Sequence, residues 1–131
     1  MRMFVRGEWI SAAEQFEVTN PYDGSVVDTV PRATPADIES ALCGAVEGAE
    51  VMRRLPGYER YQILHRAAQR LLERVEEFGR TISEEEGKTL AEGRFEAGRA
   101  AETLFLSAEE AKRIGGEVLP LDGAPGAAEI G

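Results

Sequence analysis

A chain of 131 residues, 43% apolar and 30% charged, has the size of one ordinary domain or of a piece of a larger one. Its net charge of −9 argues against a protein whose work is neutralising nucleic-acid phosphates, because that needs lysine and arginine in excess. No apolar run reaches the ~18 to 20 residues that cross a bilayer, and "MRMFVRGEWISAAEQ" lacks the apolar core of a signal peptide. A cytoplasmic protein with neither nucleic acid nor membrane as partner is expected.

The first thirty residues carry short β-type runs punctuated by Gly, Pro, Asn and Asp. "MFVRGEWI" predicts two short strands around Gly7, "FEVTNP" a third, and "SVVDTVP" a fourth after the turn "NPYDG". In that turn Pro21 presets φ, and Asp23-Gly24 tolerates positive φ. The expectation is an antiparallel ribbon or small sheet over residues 1–32, with Val26, Val27 and Val30 supplying apolar faces.

From Thr34 the period changes to about 3.6. Thr34 is placed to cap a helix, Pro35 suits its first position, and Asp37 sits in the first turn, where its charge is favoured. Ile38, Leu42, Ala45, Ala49 and Met52 then form a stripe expected to face a core, until Pro56-Gly57 ends the element. A second helix is predicted from about Tyr58. Its stripe of Tyr61, Leu64, Ala68, Leu71, Val75, Phe78 and Ile82 implies roughly thirty residues and ~45 Å of length.

Gly87 reads as a left-handed helix cap, and Thr89 with Glu92 as a capping box that opens a third helix running to about Ile114. Leu90, Phe95, Ala97, Gly98, Ala101, Leu104, Phe105, Leu106, Ala108 and Ala111 give that helix a wide apolar face rich in small residues, so it expects close neighbours. Three helices over 33–115 precede "GGEVLPLDG", where an extended segment over 116–131 is predicted. There is no internal repeat and no low-complexity linker.

Little of this carries chemistry. The single cysteine, Cys43, excludes an internal disulfide, lies beside the first helix's stripe, and has no basic residue one turn away to favour thiolate. His65, flanked by Arg66 and with Tyr61 one turn back, reads as a flank or surface imidazole rather than a base. Phosphate-cradling glycine loops and a nucleophile elbow are both absent from the sequence. Glu76-Glu77 and Glu109-Glu110 sit beside Arg or Lys at helical spacing, as on a solvated face. The acidic run Glu84, Glu85, Glu86 falls where a helix ends, which disfavours carboxylates. It reads either as a turn offset by the next helix's positive end, with Arg80, Lys88 and Arg94 nearby, or as an oxygen-ligand cation site.

Taken in order, "FVRGEWISAAEQFEVTNPYDGSVVDTVPRATPADIESAL", "EEEGKTLAEGRFE" and "RIGGEVLPLDG" resemble the opening of the aldehyde dehydrogenase superfamily, over residues 3–123. The resemblance implies an α/β parent fold, of which this chain is an α+β N-terminal quarter. It also implies oxidation of an aldehyde to a carboxylate with NAD or NADP through a cysteine thiohemiacetal. The family's nucleophile, general base and cofactor-clamping residues belong to later segments, so no catalytic or cofactor-binding residue is expected here, and the chain alone is expected to be inactive. By the same resemblance, backbone oxygens of Val18 and Thr19 with Glu85 imply a structural monovalent cation site, and Phe95, Arg99 and Phe105 belong to the helix that borders the substrate tunnel. The implied partners are the remainder of the enzyme or identical subunits in a homo-oligomer, with an aldehyde as substrate. A free-standing assembly module and one chain of a split enzyme are the alternatives.

Overall fold

The computed structural model describes residues 1–117. It begins with strand β1 (Met3–Val5) turning directly into β2 (Glu8–Ile10) through Arg6 and Gly7, both at positive φ, 51° and 88°. Two consecutive residues of that hand match the strands' twist, which is why the hairpin closes over two residues. Pairing Phe4 with Trp9 sets their rings 5.1 Å apart. A second hairpin follows, β3 (Gln15–Thr19) against β4 (Val26–Pro31), in register Phe16↔Val30 and Val18↔Asp28, with an irregularity at Val18/Thr19. Its turn is locked locally: Asn20 N–H donates to Ser25 O at 2.8 Å, and the Asp23 carboxylate accepts from Ser25 N–H at 2.9 Å and from its hydroxyl at 2.6 Å. The expected antiparallel ribbon or small sheet is thus two separate two-stranded pairs.

Helix α1 (Pro35–Arg54) starts as its sequence predicts. Asp37 N–H donates to Thr34 Oγ1 at 3.2 Å while Thr34 N–H donates to Asp37 Oδ2 at 2.8 Å, so two orphan donors are satisfied reciprocally. It ends at Leu55, held extended before Pro56, and the Arg60 guanidinium covers the Leu55 carbonyl at 2.6 Å. Its orientation departs from expectation. The half-buried residues are Asp37, Ser40 and Gly44, which face β1, and Arg6 reaches Glu47 at 2.6 Å. The apolar stripe of Ile38, Leu42, Val46 and Met52 is exposed on the other side.

The expected thirty-residue second helix is two helices, α2 (Gly57–Glu73) and α3 (Val75–Glu86), giving four helices among the described residues instead of three. Arg74 stands between them at φ −115° and ψ 19°, its N–H bonding back to Leu71 O at 3.1 Å. Hydrophobic period cannot register one residue off helical dihedrals when the stripe resumes in phase. The break lets both segments follow α4 (Leu90–Ala111), α2 along its C-terminal half and α3 along its N-terminal half.

What joins these helices is a seam of small residues. Ala68 of α2 and Gly79 of α3 meet Gly93, Ala97, Ala101, Ala108 and Ala111 of α4, all buried. No large side chain among the described residues is fully buried. Small residues let backbones approach closely, and dispersion across that short gap replaces a core of interdigitated leucines. Beside the seam, His65 is wedged between Tyr61 and Phe105, with ring centroids 5.2 and 5.0 Å away, and Lys112 Nζ lies 4.1 Å over Tyr61. No helix among the described residues is long and apolar enough to cross a membrane. The expected extended segment lies outside the described residues apart from Gly116 and Glu117, which have no regular structure.

Candidate functional site at the junction of α3 and α4

Gly87 ends α3 at φ 68°, with its N–H on Ser83 O at 3.0 Å. That left-handed conformation suits glycine, and a Cβ there would also press on Pro21 Cγ at 2.9 Å. The β3–β4 turn and the α3–α4 junction therefore touch. Two residues on, Thr89 caps α4: Glu92 N–H donates to Thr89 Oγ1 at 3.3 Å and Thr89 N–H to Glu92 Oε2 at 3.0 Å. Ser83 Oγ donates to the Lys88 carbonyl at 2.7 Å, closing the turn from the other side.

Lys88 is the electrostatic hub. Its ammonium sits 2.5 Å from Glu86 and 2.6 Å from Glu96, one carboxylate from each helix. Hydrogen bonds to Glu86 and then to Glu96 hold its pKa above the usual lysine range, and Lys88 in turn holds the Glu96 carboxyl below the ordinary carboxylate value. Hydrogen bonding by the Thr89 side chain and then its backbone lowers Glu92 in the same way. The acidic run thus divides. All three glutamates are exposed, and Glu86 is the one that Lys88 clamps. Arg94, expected near this run, instead reaches back to Glu76 at 2.7 Å.

Of the residues implicated in cation binding, Val18 and Thr19 flank the ladder irregularity at the end of β3, and Glu85 projects from the last turn of α3. The structure brings the turn following Thr19, at Asn20–Tyr22, against Gly87. A groove of about 290 Å³ runs there, lined by Asn20, Tyr22, Ser83, Gly87, Lys88 and Thr89, and not by Val18, Thr19 or Glu85. Among the described residues no three His, Cys, Asp or Glu side chains converge as a metal cluster.

A wider groove of about 470 Å³ opens on the outer face of α4, lined by Lys88, Ala91, Glu92, Phe95, Glu96 and Arg99. Phe95, 74% exposed, and Arg99 share it. Phe105, in contrast, packs against His65 on the α2 side. Cys43 is exposed, with the Glu39 carboxylate 4.0 Å from its sulfur, so an anion rather than a cation is its neighbour. Sequence reasoning placed Lys88 near the acidic run but missed its second partner, because Glu96 lies eight residues away, outside the (i, i+4) rule. The capping box between them was the available signal, since it fixes how α4 leaves the turn.

The family model described as the aldehyde dehydrogenase family matches residues 9–129. Over 124 residues the chain is 43% identical to 3-sulfolactaldehyde dehydrogenase of Priestia megaterium, covering 95% of this chain and 26% of that protein. It is 41% identical to aspartate-semialdehyde dehydrogenase 1 of Pseudomonas canavaninivorans, over 85% of this chain and 24% of that one. Among solved structures, aldehyde dehydrogenase 21 from Physcomitrella patens in complex with the reaction product succinate superposes with a TM-score of 0.89 at 35% identity, covering 94% of this chain and 26% of that chain. The chain spans about a quarter of the length of these relatives.

Proposed function

We propose, from the premise that the chain belongs to the aldehyde dehydrogenase family, that it is the N-terminal portion of an enzyme oxidising an aldehyde to a carboxylate with NAD or NADP, and that it is inactive alone. The supporting observation is the superposition of nearly the whole chain on a quarter of a solved aldehyde dehydrogenase. The reaction would need a thiolate to add to the carbonyl, NAD or NADP to take the hydride from the former aldehyde carbon, and water to hydrolyse the resulting thioester to the carboxylate and free the thiol. Cys43, solvent-exposed beside an acid on α1, is the sole thiol in the chain and fits none of those steps. What these residues supply is a scaffold: α4 held by α2 and α3, with Phe95 and Arg99 presented on its outer face.

The test is absorbance of reduced nicotinamide from the purified chain with NAD or NADP and acid-bearing aldehydes, since 3-sulfolactaldehyde and aspartate semialdehyde appear in its relatives' names. No turnover is expected from the chain alone. Turnover is expected when a separate chain supplies the remaining domains, and unaided turnover would overturn the proposal.

Within this reading, the backbone oxygens of Val18 and Thr19, with Glu85, hold a structural monovalent cation. The ladder irregularity at Val18/Thr19 and the contact of Pro21 with Gly87, two residues after Glu85, support it. Exchanging sodium or potassium for choline is expected to lower the melting temperature of the native chain and leave that of Glu85→Gln unchanged. Equal melting in all three salts would remove the site.

A further inference from the structure

Asp23-Gly24, in the turn between β3 and β4, sets a carboxyl beside an amide able to attack it. Glycine offers no side chain to hinder that approach. When its nitrogen closes on the aspartyl Cγ, a C–N bond forms, the carboxyl C–OH bond breaks, and water leaves, made from that hydroxyl and the amide proton. The product is a cyclic imide. Water then adds at either of its carbonyls, restoring aspartate or, with a methylene gained by the main chain, giving isoaspartate. The rearrangement needs no oxidant, reductant or enzyme. Packing does not prevent it here, since Asp23 is exposed and nothing lies within 4 Å of the position a Gly24 Cβ would take.

Hydrogen bonding opposes it instead. Ring closure has to take the proton from Gly24 N–H, and that N–H donates to Asn20 O at 2.8 Å. It also has to swing the carboxyl onto the nitrogen and expel hydroxide, which a protonated carboxyl releases far more readily than a carboxylate does. The Asp23 Oδ1 atom is held away by Ser25 Oγ at 2.6 Å and Ser25 N–H at 2.9 Å, and these two bonds, the hydroxyl's first, keep the carboxyl below the ordinary carboxylate value. Asn20 N–H on Ser25 O at 2.8 Å and Tyr22 N–H on Asn20 Oδ1 at 2.9 Å brace the same turn. We propose that Asp23-Gly24 is a latent isoaspartate site kept closed by the Asn20–Ser25 turn, Asn20 O engaging the attacking N–H and Ser25 holding the carboxylate off it. The added methylene would fall two residues after Pro21, whose ring meets Gly87, so the closed turn also preserves the α3–α4 junction. The site is independent of the reaction proposed above, because every atom involved lies within one hairpin.

The experiment ages the native chain in buffer, the native chain in urea, Ser25→Ala, Ser25→Thr and the peptide "NPYDGSV" side by side at about pH 5, where part of an ordinary aspartate is protonated. Isoaspartate is followed by peptide mapping, which separates it from aspartate at equal mass and distinguishes Asp23 from the chain's other Asp-Gly pair, Asp122-Gly123. The peptide and the urea-unfolded chain are expected to rearrange at Asp23 roughly tenfold faster than the native chain, because in the folded turn the bonds to Asn20 and Ser25 must break first. Ser25→Ala, which keeps the backbone bond and loses the hydroxyl, is expected to fall between them, and Ser25→Thr to match the native chain. Equal rates in buffer and in urea would overturn the proposal, as would a folded Ser25→Ala no faster than native. Should circular dichroism show Ser25→Ala to be unfolded, the other arms decide: a Ser25→Thr chain that is folded yet as fast as the peptide would overturn the assignment to the hydroxyl.

Discussion

At the scale of single residues, a pair of glycines lets α3 and α4 approach closely. A Cβ on Gly93 would overlap the carbonyl oxygen of Gly79, and one on Gly79 would come within 2.9 Å of the Arg94 backbone. Backbone cannot give way as the end of a side chain can. Gly93→Ala is therefore expected to cost about 1 to 3 kcal/mol by forcing α3 from α4, read as a lower urea midpoint. Gly98, in the same helix, has nothing within 4 Å of the position its Cβ would take. Gly98→Ala is expected to raise stability by about 0.5 to 1 kcal/mol, since only the entropy of the unfolded chain changes. Two substitutions of identical chemistry with opposite signs test the seam directly. Equal effects would mean that α3 and α4 are further apart than described.

Helix ends carry the next level of control. Thr34 with Asp37 and Thr89 with Glu92 cap α1 and α4 by the same reciprocal bonds, and both acids are lowered first by the threonine hydroxyl and then by its backbone N–H. The sign follows from linkage. A carboxyl held below its ordinary value of about 4 contributes stability that is complete above that value and lost as pH falls through the folded-state value. Helicity followed by circular dichroism is expected to decline in acid below about pH 4. Asp37→Asn and Glu92→Gln are expected to flatten that decline while lowering helicity at neutral pH. Lys88 responds at the opposite extreme, because its raised pKa makes its clamp complete below the usual lysine value of about 10.4 and lost only in stronger alkali. Lys88→Met is expected to loosen the α3–α4 junction at neutral pH, seen as faster amide exchange at Gly87 and Thr89. Unchanged exchange there would reduce the clamp to a surface pair of little consequence.

For the whole molecule, the described core is a seam of alanine and glycine, while Phe4, Trp9, Ile38, Leu42, Val46, Phe95, Leu106 and Ile114 all face solvent. Apolar burial supplies most of the stability of a fold, and here the large side chains of the helices, such as Leu64, Leu71, Ile82 and Leu104, are at most half-buried. The free chain is accordingly expected to bind hydrophobic dyes, to show the fluorescence of a solvent-exposed indole from Trp9, 60% exposed, and to associate as concentration rises. A net charge of −9 opposes association at low ionic strength, so light scattering is expected to increase with salt. A strictly monomeric 14.3 kDa species at all salt concentrations would contradict this.

By itself the sequence determined what is local: the four strands, the Thr34 cap, the Thr89–Glu92 capping box, the Gly87 terminus and the helical periods, each set by chemistry within a few residues. Motif order also pointed to the family that the comparisons support. Tertiary structure alone decided the break at Arg74, the pairing of Lys88 with Glu96, the turning of Arg94 to Glu76, and the side of α1 that meets β1. These depend on where another element lies in space. A period of 3.6 marks an apolar face, but it holds no information about whether that face is covered from within the chain or by something the chain must still meet.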